Sequence, residues 1–339
     1  MLPGDYIAMK LTDEINTTIT GLSEGIFWDF KENKISDLIL NYFEFDHEIV
    51  PSIVPTFGIQ GNLSKEASST LGLKEGIPIS YRSGDQPNNA YSLNVLNPGE
   101  LAATAGTSGV VYGVSDQRKF DPLSRVNTFA HVNHSLERTN LGVLMCVNGT
   151  GILYSWLKQN MAQNGVDYDE MNMLAAEIAV GSEGVIVLPF GNGAERILNN
   201  RNIGAEFSGI NFNVHTQKHI FRAAQEGIAF AFRYGIDIMK TVGIQPDIIR
   251  AGHTNMFLSK IFRETLSGLT GATIELYNTD GSQGAARGAG FGLEFYTSDA
   301  EVFTGLDKIE DVHVKGSEQL DQAYHNWLIR LENSLINSV

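Results

Sequence analysis

The sequence predicts an α/β fold in which helices cover the faces of a mixed β-sheet. A glycine-rich turn at 106–109 separates two short apolar runs, 101–105 and 110–114, a pattern typical of a β-hairpin. A third apolar run, 141–147, supplies a neighbouring strand. Helical and strand patterns then alternate along the chain, which is the order expected when helices pack on both faces of a sheet.

The alternating region contains one long helix and several shorter elements. The long helix is predicted over 219–240, where apolar residues recur at about 3.6-residue spacing and small residues allow close packing. Further helices are predicted over 152–161, 169–180, 255–269, 282–294 and 319–335, and strands over 184–188, 247–250 and 272–276.

The first 97 residues have a different character, mainly helical and loop-like. Pro3 suits the first turn of a helix that runs to about Leu11, because a proline lacks the N–H that would be unpaired there. Short helices are predicted over 36–43 and 65–71, and a strand over 77–82.

Composition excludes several classes of protein. The net charge of −15 would repel nucleic acid and anionic membranes, so neither is expected as the main partner. No apolar run reaches the roughly 20 residues needed to span a bilayer, and the N-terminus lacks a signal-peptide pattern. Cys146 is the single cysteine, which excludes an intrachain disulfide and is expected to be a buried, inert thiol. These features predict a cytoplasmic protein, and its length favours two domains.

The turn Gly106-Thr107-Ser108-Gly109 is the first candidate for binding a phosphate group. Backbone N–H groups in such a turn can surround an oxyanion, and the two hydroxyl side chains add donors. The alternative is an ordinary hairpin turn, which this tetrapeptide alone would favour.

Asp85, in the run Ser83-Gly84-Asp85-Gln86, is the candidate catalytic carboxylate. A carboxylate at the end of a strand can accept a proton from a substrate hydroxyl and hold that hydroxyl for attack. The alternative is an aspartate that only caps the following helix or turn.

A third candidate is the segment from Arg250 to Asn255, a strand that ends in small residues before a helix. Ligands of open α/β sheets bind beyond the carboxyl ends of the strands. Asn255 could instead be the helix N-cap. His253 has no carboxylate or second histidine at ligand spacing, so it is not predicted to bind a metal.

Two further segments carry weaker signals. The glycines of 280–290 are similar to a dinucleotide-binding loop, but no ribose-binding acidic residue follows, and a closely packed helix explains them better. A polar loop is formed by Glu195, Arg196, Asn199 and Asn200. This loop either closes on substrate or is simply solvated.

Taken in order, these segments resemble the FGGY family of carbohydrate kinases over nearly the whole chain. The similarity rests on the opening MLPGDYIAMKLT and on segments 83–86, 105–109, 149–151, 205–226, 252–255 and 281–286. Gln225 departs from the family signature, where an apolar residue is usual. The sequence Ala251-Gly252-His253-Thr254 departs from the family's glycine-rich adenosine motif.

The resemblance implies the actin-like, ribonuclease H-like ATPase fold of the actin, Hsp70 and hexokinase group, with ATP bound between two domains. It implies ATP and Mg²⁺ as cofactors and a sugar hydroxyl as phosphate acceptor, with a ketose such as xylulose favoured. It also assigns Asp85 as the base, Asp85 and Gln86 as sugar contacts, and a homodimer is compatible with it. The implied nucleotide contacts are Gly106, Thr107, Ser108, Gly151, Gly252 and Asn255.

The resemblance also predicts the domain organisation. Residues 1–97 correspond to the tail of a first, sugar-binding domain, 98–310 to a second, nucleotide-binding domain, and 311–339 to a terminal helix that packs back on the body. Because the family's first phosphate-binding hairpin lies upstream of the position that matches Met1, this chain alone is expected to have little or no kinase activity. The alternatives are a nucleotide-binding regulator or sugar sensor, a kinase for glycerol, and an actin-like assembly protein.

Overall fold

A computed structural model describes residues 1–162 and 165–337. The first 97 residues form short elements joined by loops. The helices are α1 (Pro3–Thr12), α2 (Ile19–Glu24), α3 (Asp37–Tyr42), α4 (Lys65–Leu71) and α5 (Asp85–Ser92), and the strands are β1 (Asn16–Thr17), β2 (Trp28–Asp29), β3 (Lys34–Ile35) and β4 (Ser52–Ile53).

The strand predicted over 77–82 is wrong. This segment makes only isolated bridges, Asn62 with Pro78 and Phe57 with Tyr81. Its backbone forms hydrogen bonds with separate residues of an irregular loop. For example, Gly58 N donates to Ser80 O at 2.9 Å. The helix α5 that follows begins at Asp85 itself.

The predicted hairpin and third strand are confirmed. They belong to a seven-stranded sheet with the strand order β13-β12-β11-β5-β6-β8-β7, while β9 and β10 form a separate antiparallel pair. In chain order the strands are β5 (Glu100–Ala105), β6 (Gly109–Ser115), β7 (Asn127–Ala130), β8 (Leu141–Val147), β9 (Ile186–Leu188), β10 (Glu206–Ser208), β11 (Ile248–Gly252), β12 (Thr273–Tyr277) and β13 (Lys308–Val312). The sequence did not predict β7, β10 or β13.

Strand directions bring four strand ends to one edge of the sheet. β11 lies between β5 and β12 and runs parallel to both, with Ala251 opposite Ala103 and Gly252 opposite Tyr277. β6 is antiparallel to β5 and to β8, so β8 runs in the same direction as β5. The carboxyl ends of β5, β8, β11 and β12 therefore share one edge, the edge at which open α/β sheets bind ligands.

The helices predicted in this region are all present, with shifted ends. They are α6 (Gly151–Asn160), α7 (Tyr168–Ala176), α8 (Gln217–Thr241), α9 (Lys260–Thr270), α10 (Gly281–Gly292), the short α11 (Asp299–Val302) and α12 (Glu318–Asn337). The helix expected from residue 255 begins at Lys260, because the Ser259 hydroxyl caps it by accepting a bond from Phe262 N at 3.4 Å. A 3₁₀ turn, Asn255–Leu258, precedes it.

The main core lies between the sheet and α8, as the small residues of this helix allow. A Cβ at Gly227 would lie 2.2 Å from Val187 O, and one at Gly235 would lie 2.7 Å from the Met145 side chain. α12 packs back on this body through Trp327, whose indole donates to Val187 O at 2.9 Å and contacts Phe190 and Phe230.

We expect Trp327→Ala to lower the free energy of unfolding by about 3–5 kcal/mol, because it leaves a large cavity and an unpaired carbonyl under α12. Trp327 is 1% exposed. Denaturant unfolding would measure the change. Ile336→Ala is the matched control, since Ile336 lies on the same helix and is 70% exposed. Equal effects of the two substitutions would contradict this account of how α12 docks.

Candidate functional site

A cavity of about 570 Å³ opens at the edge where the four strands end. Three loops that are distant in the sequence contribute to it. Gly106 and Thr107 come from the β5–β6 turn, Gly151 from the start of α6, and Asn255 from the loop after β11. Its size is within the range of cavities that hold cofactors.

The β5–β6 turn is bonded directly to the start of α6. Gly151 N donates to Gly106 O at 2.9 Å and Ile152 N donates to Thr107 O at 3.1 Å. A Cβ at Gly151 would lie 2.3 Å from Gly106 O, so only glycine permits this approach. The backbone N–H groups of Thr107 and Ser108 donate no hydrogen bond within the described part of the chain. They are therefore available to bind an oxyanion. An ordinary hairpin turn does not require unpaired N–H groups.

Asn255 lies directly beside this turn and lines the same cavity. Its Nδ2 lies 3.6 Å from the position that a Cβ would take at Gly106, and its backbone has a φ of 53°. Asparagine tolerates this left-handed conformation better than most residues. The N-cap interpretation of Asn255 is wrong, because Thr254 precedes the 3₁₀ turn and Ser259 caps α9. Ser108 and Gly252 do not line the cavity.

The polar loop at 195–200 braces the start of α6 and is not simply solvated. Glu195 is fully buried, and its carboxylate accepts bonds from Asn148 N and Gly149 N, both at 3.0 Å. Burial raises the pKa of Glu195, while these two bonds oppose that rise. Arg196 donates to Ser124 O at 2.7 Å, which fixes the other side of the loop.

Asp85 lies in a second cavity of about 500 Å³, together with Glu24 and Arg82. It is the first residue of α5 and is exposed. Its Oδ1 accepts a bond from Gln86 N at 2.8 Å, and its Oδ2 accepts one from Gln86 Nε2 at 3.2 Å. Gln86 is thus hydrogen-bonded to the Asp85 carboxylate but does not itself line the cavity.

Glu24 is a site residue that the sequence analysis missed. Its carboxylate lies flat against Gly84, where a Cβ would be 2.1 Å from Glu24 Oε1. Burial, and then the negative charge of Asp85, raise the pKa of Glu24 to about 7. The glycine before Asp85 was a signal of close approach at this position, but the sequence did not indicate which side chain approaches.

Arg82 and Asp5 form a buried ion pair at the base of the same cavity. Arg82 Nε lies 3.5 Å from Asp5 Oδ1, and its Nη2 donates to Asn16 Oδ1 at 2.6 Å. This pair joins α1 to the segment that leads into Asp85. It positions the cavity wall and explains why the aspartate of the opening segment is 8% exposed.

The two cavities share no lining residue. Burial raises the pKa of the Cys146 thiol on β8; Arg196 opposes that rise and the Asp85 charge adds to it. Asn88 of α5 donates to Gly281 O, the first residue of α10, at 2.8 Å, which ties α5 to the end of β12.

The glycine-rich segment 280–290 is a packed helix, as its sequence favoured. Asp280 caps α10 by accepting bonds from Ser282 N and Gln283 N, both at 3.0 Å. A Cβ at Gly284 would lie 2.7 Å from the Ser92 Cβ, so this glycine lets α10 contact α5.

Among residues 1–162 and 165–337, no group of three or more histidine, cysteine or acidic side chains is arranged to hold a metal ion. None of the described helices combines the length and apolarity needed to cross a membrane. The cytoplasmic location stays a prediction.

Comparison with known families identifies this architecture. The C-terminal domain model of the FGGY family of carbohydrate kinases matches residues 101–290, and its N-terminal domain model matches residues 1–91. The chain therefore belongs to the FGGY family of carbohydrate kinases. The α/β, actin-like ATPase fold that the sequence predicted is confirmed by a TM-score of 0.86 with a xylulose kinase structure from Rhodospirillum rubrum. That structure is 23% identical in sequence, and the match covers 97% of this chain and 66% of that chain.

Curated relatives give the same family. A xylulose kinase of Staphylococcus epidermidis is 26% identical over 327 residues, 95% of this chain and 64% of the relative. A xylulose kinase of Haemophilus influenzae is 26% identical over 253 residues, 74% of this chain and 50% of the relative. The chain thus spans about half to two thirds of the length of these relatives.

We expect Glu195→Ala to lower the free energy of unfolding by about 2–4 kcal/mol, because it leaves two N–H groups, of Asn148 and Gly149, without an acceptor. Glu195→Gln, which keeps one acceptor oxygen, should have an intermediate effect. Amide hydrogen exchange at Asn148 and Gly149 should accelerate in the same order. The exposed Glu332→Ala is the control. Unchanged exchange at these two amides would contradict the bracing role.

We expect Glu24→Gln to stabilise the protein at pH 8 and to have little effect near pH 4.5. The raised pKa means that the folded state favours the protonated acid, so wild-type stability falls as the pH rises from about 4.5 through 7. The gain at pH 8 should be on the order of 1–2 kcal/mol after allowance for solvent screening. Thermal unfolding across pH 4.5–8 would measure it, with the exposed Glu14→Gln as control. A pH-independent difference would contradict the coupling.

Proposed function

We propose that this protein takes part in the ATP-dependent phosphorylation of a sugar hydroxyl, with D-xylulose as acceptor and D-xylulose 5-phosphate as product. The observation that carries the proposal is the common edge of the sheet. It gathers the donors of the 106–108 turn and the glycine start of α6 at Gly151, and α5, which begins at Asp85, is bonded to the start of α10 at this edge. Phosphoryl transfer requires mainly positioning and electrostatic stabilisation, which such an edge supplies.

Each residue is given one role in this proposal. The N–H group of Thr107, which lines the cavity, and that of the adjacent Ser108 bind phosphate oxygens, and Gly106 and Gly151 let the phosphates approach the backbone. Asn255 contacts the nucleotide beside this turn, while Gly252 supports the loop that carries Asn255. Asp85 accepts the proton of the attacking sugar hydroxyl, and Gln86 holds the Asp85 carboxylate.

Mg²⁺ belongs to the proposal as the ion that would neutralise the negative charge of the ATP phosphates. It is usually bound by one or two carboxylates together with phosphate oxygens, so a site with three protein ligands is not required.

The identity of the sugar that accepts the phosphate is the most specific part of the proposal. The names of the curated relatives support xylulose, whereas the Asp85-Gln86 pair also fits a glycerol kinase. A nucleotide-binding sugar sensor with the same fold is the second candidate, since none of the groups that bind nucleotide in this proposal depends on Asp85. We infer a cytoplasmic location, because ATP and sugars meet there.

Asp85→Asn separates the two candidates. We expect it to reduce sugar-dependent ATP consumption by about 100- to 10,000-fold, because the amide cannot accept the hydroxyl proton, while ATP affinity changes less than twofold. Turnover would be measured in the native protein, with a panel of ketoses and glycerol. ATP binding would be measured by calorimetry.

The matched control is Asp116→Asn, an exposed aspartate in the loop after β6. ATP binding without turnover of any sugar by the wild type would favour the sensor. Full turnover by Asp85→Asn would show that Asp85 is not the base. Absence of ATP binding by the wild type would contradict the proposed function itself.

A further inference from the structure

The 500 Å³ cavity that holds Asp85 carries an excess of negative charge. Three carboxylates line it, those of Asp5, Glu24 and Asp85, and Arg82 is the single cation among the described residues that do so. Arg82 is already paired with Asp5, whose Oδ1 lies 3.5 Å from the Arg82 Nε, and both side chains are buried. The charges of Glu24 and Asp85 are therefore left without a compensating cation in the cavity wall.

Glu24 is held in the cavity wall by its contact with the start of α5. Gly84 precedes this helix as its N-cap and offers no side chain there. The Glu24 carboxylate takes that space, since a Cβ at Gly84 would lie 2.1 Å from Glu24 Oε1 and 2.3 Å from Glu24 Oε2. The N-terminus of a helix stabilises a nearby negative charge. Glu24 is thus placed next to the residue that begins α5, Asp85.

The charge of Glu24 changes near neutral pH. Burial, and then the negative charge of Asp85, raise the pKa of Glu24 to about 7; a bond from the Gly84 backbone opposes that rise, and the Asp5 charge adds to it. The cavity therefore gains a negative charge as the pH rises from 6 to 8.

The other groups near Glu24 do not cancel this change. Burial raises the pKa of Tyr81 and of Tyr112 well above the usual value of a tyrosine, so both stay uncharged over the same range. The Arg82 guanidinium keeps its charge throughout, because arginine does not lose its proton in proteins. Glu24 is therefore the group that makes the charge of this cavity depend on pH.

We propose that Glu24 selects the charge class of the acceptor, admitting uncharged polyhydroxyl sugars and excluding those that carry a carboxylate, such as aldonic acids. This rests on the proposed function, in which the cavity around Asp85 holds the acceptor. A bound anion would lie beside the uncompensated charges of Glu24 and Asp85, where like charges repel more strongly than in bulk water. An uncharged sugar is not repelled, and its hydroxyl groups can donate hydrogen bonds to carboxylate oxygens.

Glu24 rather than Asp85 carries this selectivity. Asp85 accepts the hydroxyl proton in the proposed function, so a kinase for either class of acceptor would need it. Glu24 has no part in that step, and its charge is free to discriminate between acceptors. The selectivity should consequently increase as Glu24 loses its proton, which gives it a pH dependence that a purely structural role would not produce.

Titration calorimetry of the native protein with D-xylulose and with D-xylonate, a five-carbon aldonate, tests the proposal. Xylulose is uncharged and the xylonate carboxylate is ionised from pH 6 to 8, so neither ligand changes its charge over this range. We expect the wild type to bind xylulose at least about tenfold more tightly than xylonate at pH 8. The preference should increase by about 3- to 10-fold between pH 6 and pH 8.

Glu24→Gln removes the charge and nearly keeps the shape. Its affinity for xylonate at pH 8 should rise, and its preference for xylulose should be the same at pH 6 and pH 8. A role of Glu24 in folding alone would instead alter both affinities together. The exposed Glu14→Gln is the matched control and should keep the pH dependence of the wild type.

The wild type alone can overturn the proposal, whatever the stability of the variant. A preference that stays constant between pH 6 and pH 8, or tight binding of xylonate at pH 8, would contradict the role of Glu24 and leave the proposed function intact. The same holds if Glu24→Gln keeps the pH dependence. If the wild type bound neither ligand, the proposed acceptor would be overturned and the selectivity with it.

Discussion

The common direction of β5, β8, β11 and β12 is the constraint on which the rest of the structure depends. Because these strands end at one edge, the loops after them meet there although they are far apart in the sequence. The bonds from Gly151 and Ile152 to the 106–107 carbonyls are made at this edge, and so is the contact of α5 with α10. A reversal of β5, β8 or β11 would carry the loop after that strand to the opposite edge and remove it from the 570 Å³ cavity.

Buried polar side chains hold the loops in place at this edge. Glu195 accepts hydrogen bonds from the two backbone N–H groups just before α6. Gln225 of α8 is bonded to Tyr154 of α6, and Arg82 forms an ion pair with Asp5 in the cavity that holds Asp85. Burying such groups is costly unless they are hydrogen-bonded, so each is useful only with its partners in position. The site is therefore built as much from polar contacts behind the cavities as from the residues that line them.

Several local features could be predicted from the sequence, because they arise from periodicity or from the conformational freedom of glycine. The hairpin, the strand at 141–147 and the long α8 follow from such patterns. The strand predicted over 77–82 was wrong, because the apolar residues of this segment pack in a loop without a continuous strand partner. Short elements such as β7 and β10 carry too few residues to show a period.

The sequence by itself determined the α/β class, the family and the candidates Asp85, Gly106, Gly151 and Asn255, because short-range spacing and residue chemistry are written directly in it. Only the tertiary structure decided that Glu24 lies beside Asp85, that Glu195 braces the start of α6, and that Gln225 is hydrogen-bonded to Asn172. Those pairs are separated by tens of residues along the chain. Burial and hydrogen-bond direction depend on long-range packing, which no local pattern encodes.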